Sequence, residues 1–237
     1  MARTPVSGTD IQFADRAVYL AAADALVLSD LHVGRQAAAS VDAPLGEATD
    51  LTDRFAALLS TFEPATVVIA GDLLHSFSRL HESSRKTVLE LFECCKETGA
   101  DPVAIVGNHD SRLAECWPEG VEAEIALSDG TVVCHGHEEP TLDGPRYLIG
   151  HDHPAIAIEG VRRPCYLYGE GAYRGGDLLV LPAFTRLAGG VEINRHRGSD
   201  FQSPLVSSLG SFRPIVWDAD ADEALWFPPL ASFRRLL

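Results

Sequence analysis

The sequence predicts an α/β fold in which two packed mixed β-sheets are flanked by helices, a single domain over residues 1–237. Three observations predict it. In the first half, three short apolar runs each stop at a polar group and are separated by two stretches of helical periodicity. From Val121 onward the pattern changes to short apolar strands and turns. The composition, 46% apolar and 22% charged, suits a globular chain with one sizeable core and excludes disorder, collagen and coiled coil.

The elements follow in order. Ile11 to Ala14 and Ala17 to Leu20 form a hairpin-like pair, and Ala25 to Leu28 is a buried strand ending at Ser29 and Asp30. Leu45 to Phe62 is helical in its spacing of Leu51, Phe55, Leu58, Leu59 and Phe62. Thr66 to Ala70 is a β-branched strand ending at Gly71 and Asp72. A second helix runs from Ser83 to Glu97, capped by Ser83 or Ser84 and closed by Gly99. Val103 to Val106 is the third strand and ends at Gly107, Asn108, His109 and Asp110. Strand, helix, strand, helix, strand implies a parallel sheet within residues 1–120. Residues 121–237 read as a mainly antiparallel half, with strands at Val121 to Leu127, Thr131 to Cys134, Tyr147 to Ile149, Ala155 to Ile158, Cys165 to Tyr168 and Leu178 to Leu181. Gly198 to Ser211 reads as a surface loop, and Phe212 to Leu237 adds the final strands.

Charge narrows the function classes. Thirty-four acidic against nineteen basic residues give a formal net charge of −15, and only Lys86 and Lys96 are lysines. An acidic, arginine-over-lysine balance points to the salty cytoplasm of a halophile, where salt screens self-repulsion, over a merely acidic mesophilic protein. It excludes a broad basic face for gripping a nucleic-acid backbone. Arg162, Arg163, Arg174, Arg186, Arg195 and Arg197 are expected to form a solvated scatter. No apolar run reaches the ~20 residues of a membrane helix, and Met1 to Asp10 lacks the apolar run of a signal peptide. Five cysteines without a CxxC pair suit reduced thiols in a cytoplasm. Nothing in the sequence sets an oligomeric state.

The chemistry-bearing groups all follow apolar strands. They are Asp30-Leu31-His32, Gly71-Asp72, Gly107-Asn108-His109-Asp110, His135-Gly136-His137 and Gly150-His151-Asp152-His153. Ligands lie beyond the carboxyl ends of parallel strands, so Asp30, His32, Asp72, Asn108 and His109 should gather at one edge. Carboxylate and amide oxygens mixed with imidazoles, with no thiolate, make a site for a divalent ion such as Mn, Fe or Zn and not a structural zinc. So many donors suit two ions about 3.5 to 4 Å apart, clamping the attacking and leaving oxygens of a phosphoryl displacement.

These five blocks, in this order over Asp30 to His153, resemble the signature of the calcineurin-like metallophosphoesterases, DxH, GD, GNH with an acid, a histidine after a strand, and GHxH. The resemblance implies that family's α/β sandwich. It further implies that Asp30, His32 and His153 hold one ion, that Asn108, His135 and His151 hold the other, and that Asp72 bridges them. His109 would contact the phosphate and protonate the leaving oxygen, and the ions would draw a nucleophile from water near neutral pH. Manganese comes first among the metals, with Fe, Zn, Ni or Co as alternatives. His137 is expected to face solvent or support a ligand, Asp110 and Asp152 to form turns or support ligands, His75 to orient His109, His81 to lie at the surface and Cys134 to be a core thiol. The residues Gly71 to Ser76 and Val106 to Asn108 lack the arginines of the Ser/Thr protein phosphatases, which argues against phosphoproteins. GDLLHS, GHDHP and Leu181-Pro182-Ala183-Phe184 with Gly189-Gly190 and Asn194 are similar to small SbcD-related archaeal and bacterial ligase-associated phosphoesterases. The implied substrate is a phosphate ester, first a phosphodiester of nucleic acid or a nucleotide. The alternatives are a phosphomonoester of a small metabolite and an inactive scaffold on the same fold.

Overall fold

The computed structural model describes residues 10–35, 46–75, 80–194 and 200–233. Strands β1 (Ile11–Ala14), β2 (Ala17–Leu20) and β3 (Ala25–Leu28) are followed by helix α1 (Glu47–Phe62), β4 (Thr66–Ala70), helix α2 (Glu82–Glu97), β5 (Asp101–Ile105) and β6 (Val121–Glu122). They form one sheet in sequence order, with β1, β2 and β3 antiparallel and β3, β4, β5 and β6 parallel. The second half supplies β7 (Glu124–Ala126), β8 (Val132–Cys134), β9 (Arg146–Ile149), β10 (Pro154–Ile158), β11 (Val161–Pro164), β12 (Tyr166–Tyr173), β13 (Gly176–Val180), β14 (Val191–Glu192), β15 (Arg213–Asp218), β16 (Glu223–Trp226) and the short helix α3 (Leu230–Phe233). Seven of these build the second sheet, ordered β16-β15-β12-β13-β9-β8-β7.

Burial on both faces explains why the central strands read as continuous apolar runs. Leu26, Leu28, Val67 and Ile69 point to α1 and α2, where Leu51, Phe55, Leu59, Val88 and Leu91 cover them. The alternate residues Val27, Val68 and Ala70 point to the second sheet and meet Val133, Leu148, Leu179 and Leu181. Each layer therefore follows from period-two alternation along the strands.

Both large sheets are mixed, as expected, and the structure corrects four other expectations. In the second, β8, β9 and β13 run parallel to one another among antiparallel neighbours. The run Val121 to Leu127 is two strands: β6 pairs with β5 and β7 with β8, so the chain passes between sheets at Ala123. Among the described residues a third, three-stranded sheet, β11-β10-β14, also stands beside the two large ones. Helix α2 starts at Glu82 with His81 at its N-cap, while Ser83 and Ser84 lie inside the first turn and Ser84 is buried. An acidic residue in that turn suits the helix dipole better than the serine pair suits a cap.

The largest correction concerns the stretch read as a surface loop. From residue 200 onward it is irregular in backbone, yet Phe201, Leu205, Val206, Leu209 and Phe212 are buried against Val132, Tyr147, Leu167, Leu178 and Val180 on the outer face of the second sheet. It replaces a covering helix. Residues 198 and 199 lie outside the described residues.

Candidate metal centre

The carboxyl ends of β3, β4 and β5 converge on the ends of β8 and β9. The Asp30 amide donates to the Gly71 carbonyl (3.0 Å) and the His32 amide to that of Asp72 (2.9 Å), which locks the first two loops together. The Gly150 amide donates to the His135 carbonyl (3.0 Å), locking the loops of the second sheet. Asp110 ties the loop after β5 to the one after β4: its buried carboxylate accepts the amides of Leu73 (3.3 Å), Leu74 (2.8 Å) and Gly107 (2.9 Å).

Three glycines of the motif blocks are there because side chains need their space. A Cβ on Gly71 would lie 2.3 Å from the His135 ring, on Gly107 2.1 Å from an Asp72 carboxylate oxygen, and on Gly150 2.4 Å from an Asp30 carboxylate oxygen. Around them the backbone is strained. Asp30, His32, Asp72, His151 and His153 all take positive φ, between 46° and 70°.

The side chains meet closely. His153 Nε2 lies 2.9 Å from Asp30 Oδ1 and 3.3 Å from His32 Nε2. Asp72 points one oxygen at His32 and His109 (3.8 Å each) and the other at His135 Nε2 (3.4 Å). His135 Nε2 is also 3.1 Å from Asn108 Oδ1, and the His151 ring centre is 5.1 Å from that of His135. Donor atoms of Asp30, His32 and His153 lie within 4.8 Å of one another, as do those of Asp30, Asp72 and His135, and those of His32, His75 and His109. All the expected residues are therefore gathered at one edge.

Tautomer and charge fit cations. His135 Nδ1 donates to the Ala70 carbonyl (3.0 Å), which leaves the Nε2 lone pair facing the cluster. Burial lowers His32 to about 3 and His135 and His151 to about 4, so all three imidazoles are neutral donors at pH 7. Burial, then the negative charge of Asp30, pushes Asp72 up to about 8. Burial alone would raise Asp30 too, but His153 beside it holds it below the usual carboxylate range. Carboxylates and neutral imidazoles converging within a few ångströms are a donor set for hard divalent cations, and the His/Asp clusters fit a site for two such ions.

The neighbours sort as follows. His75 stacks on His109 with ring centres 5.2 Å apart, and its Nδ1 is 3.4 Å from His32 Nδ1. Burial and the nearby Arg35 lower both His75 and His109. His137 is half-buried, its ring 5.2 Å from that of His135. Asp152 accepts the amides of Gln202 (2.8 Å) and Ser203 (3.1 Å), anchoring the irregular cover. His81 is exposed at the N-cap position of α2 and makes no capping hydrogen bond with its side chain, and Cys134 is buried in the core. The arginines do not form a plain scatter: Arg162 and Arg186 line one cavity with Arg16, whereas Arg174 pairs with Glu139 and Asp143. Arg195 and Arg197 lie outside the described residues. Arg16 gives no signal in the sequence, because it sits alone in the turn after β1.

This sandwich, with its His/Asp clusters at converging strand ends, defines a metal-dependent phosphoric ester hydrolase. Residues 24–180 match the model of the calcineurin-like phosphoesterases, more than half the chain, and the chain belongs to that family. Among solved structures, the Pseudomonas putida nuclease MPE superposes with a TM-score of 0.64 at 23% identity, over 91% of this chain and 96% of that one. YfcE, a phosphoesterase from E. coli, superposes with a TM-score of 0.45 at 15% identity, over 86% of this chain and 98% of that one. No curated protein sequence matches the chain. Among the described residues no helix is long and apolar enough to cross a membrane.

Proposed function

We propose that this chain is a two-metal phosphodiesterase acting on nucleic acid or a nucleotide, with manganese as the preferred ion. The observation that carries the two-metal part is the pair of donor groups around Asp30, His32 and His153 and around Asp72 and His135, with the buried Asp72 pointing one carboxylate oxygen toward His32 and the other toward His135. Asp30, His32 and His153 hold one ion in this reading, Asn108, His135 and His151 the other, and Asp72 both. Bound there, the ions supply Lewis-acid charge and a nucleophile drawn from water near neutral pH.

The chain's own residues do the rest. Asp72 offers one carboxylate oxygen to each side of the cluster. The Ala70 carbonyl keeps His135 in the tautomer that donates its Nε2 lone pair. His109, partly open to solvent, holds a proton for the leaving oxygen, and His75 stacked on it sets its ring plane. Arg35 and burial hold His109 low in the free chain, and a phosphate anion beside it reverses that push.

The diester preference is supported by the cation-lined cavity next to His153, which a small monoester does not need. A fold shared with a nuclease is in keeping with it. The −15 charge suits the salty cytoplasm of a halophile. The test is stripping with chelator and add-back of Mn, with turnover of bis-p-nitrophenyl phosphate against p-nitrophenyl phosphate. Metal-restored turnover with the diester faster by tenfold or more supports the reading. Faster monoester turnover makes it a phosphomonoesterase, and no turnover with either makes it a scaffold.

A further inference from the structure

Beside the clusters lies a cavity of about 210 Å³ whose walls include His153, Arg16, Arg162, Arg186, Ala183 and Gly190. Three guanidinium side chains on one small cavity are unexpected in a chain of net charge −15. They come from separate places, the turn after β1, the strand β11 and the segment after β13, so the fold alone assembles them. Two are braced by acids: Arg186 by Asp50 (2.8 Å) and Arg162 by Glu192 (3.4 Å). Arg16 is different. It is partly buried and donates through one terminal nitrogen to the carbonyls of Ala183 and Thr185, and among the described residues it forms no salt bridge. Burial, Arg54 and Arg186 lower it to about 10, the mark of a cation held where like charge is already present. An anion in the cavity relieves that repulsion, and guanidinium groups match the oxygens of phosphate.

Resting on the phosphodiesterase reading, we infer that this arginine-lined cavity binds a second phosphate group of the substrate, next along the chain from the bond cleaved at the metals. The cavity shares His153 with the cluster, so a phosphate there and one at the ions lie on adjoining sites. A substrate with two phosphates bridged by one nucleoside engages both, whereas an isolated diester engages only the ions. The site thus gives a chain of acidic surface a local grip on a polyanion.

Two measurements test this. Calorimetry of inorganic phosphate on the metal-stripped full chain reads the cavity without catalysis. Binding is expected in the wild type and a loss of tenfold or more in Arg16→Ala and in Arg186→Ala, the latter at an exposed side chain that leaves the Ala183 and Thr185 contacts intact. The Mn-loaded enzyme is then compared on the thymidine dinucleotide with and without a 5′-phosphate. The wild type is expected to favour the phosphorylated form at least tenfold in kcat/KM, and both variants to lose that preference. Wild-type phosphate affinity in Arg186→Ala and Arg16→Ala overturns the site. Arginine-dependent phosphate binding without a dinucleotide preference overturns the substrate assignment and points to free phosphate as the occupant. Arginine-dependent binding in a chain that hydrolyses no ester upholds the anion site and refutes the phosphodiesterase reading.

Discussion

Gly107→Ala tests the geometry of the site with the smallest possible change. The added Cβ would stand 2.1 Å from Asp72 Oδ1, 2.4 Å from the Asp72 backbone nitrogen and 2.9 Å from its Cγ. Rotating the Asp72 side chain answers the first and third contacts but leaves the second. The ends of β4 and β5 must therefore move apart by about 1 Å, and displacement on that scale costs on the order of 10²-fold in rate. Overpacking of this kind also costs about 1–3 kcal/mol, or roughly 2–12 °C in melting temperature for a chain of this size. The assay is bis-p-nitrophenyl phosphate turnover in excess Mn, with melting followed by circular dichroism and bound metal by elemental analysis. Gly120→Ala, with no atom within 4 Å of its added Cβ, is the control and should match wild type in all three. A Gly107→Ala protein with wild-type turnover would refute the packing argument and the placement of Asp72 at the centre of the site.

Asp72→Asn should abolish turnover and weaken both ions, while the two packed sheets keep the fold; wild-type rates in excess Mn would remove Asp72 from the site. The same residue shapes metal-free stability. Its carboxyl is raised to about 8, so the folded state holds a proton that the unfolded chain releases, and the Asp72 contribution to metal-free stability is lost as pH rises from about 4 to 8. Urea titrations of stripped protein above about pH 6.5, where the buried histidines no longer titrate, should show that fall and Asp72→Asn should flatten it. The lowered histidines act in the opposite direction over an overlapping window: with His32 at about 3 and His135 at about 4, their contribution is lost as pH drops from about 6.5 toward those values. Metal-free denaturation midpoints of Asp72→Asn, which lacks the opposing proton, that hold constant from pH 6.5 to 4 would contradict their neutral burial. His109→Ala should keep two ions per chain yet lose on the order of 10² to 10⁴ in rate on a poor leaving group, and loss of an ion in that variant would make His109 a ligand.

The site was legible because its residues sit directly at strand ends. Val27 and Leu28 announce a strand and Asp30 and His32 follow at once, and the same holds at Ile69 to Asp72 and at Ile105 to His109. The parallel pairing of β8, β9 and β13 was not legible, since an apolar run of three to five residues carries no record of its partner's direction. Nor was the cover over the second sheet. Ser203, Ser207, Ser208, Gly210 and Ser211 give that stretch the composition of a loop, and Phe201, Leu205, Val206, Leu209 and Phe212 follow neither period. Irregular backbone buries apolar side chains without leaving a rhythm. The arginine cavity escaped for another reason: Arg16 lies more than a hundred residues of chain from Arg162 and Arg186.

The left-handed backbone at Asp30, His32, Asp72, His151 and His153 bears on how this molecule can be improved. Each such residue holds about 1–3 kcal/mol that a glycine would release. A selection for thermal tolerance alone would therefore find its gains at these five positions and return robust, inert proteins. Stability engineered with function in mind has to be sought elsewhere, in the helices and in the cover over the second sheet. The converging loops stay expensive because no relaxed residue carries the carboxylate or imidazole that the ions require.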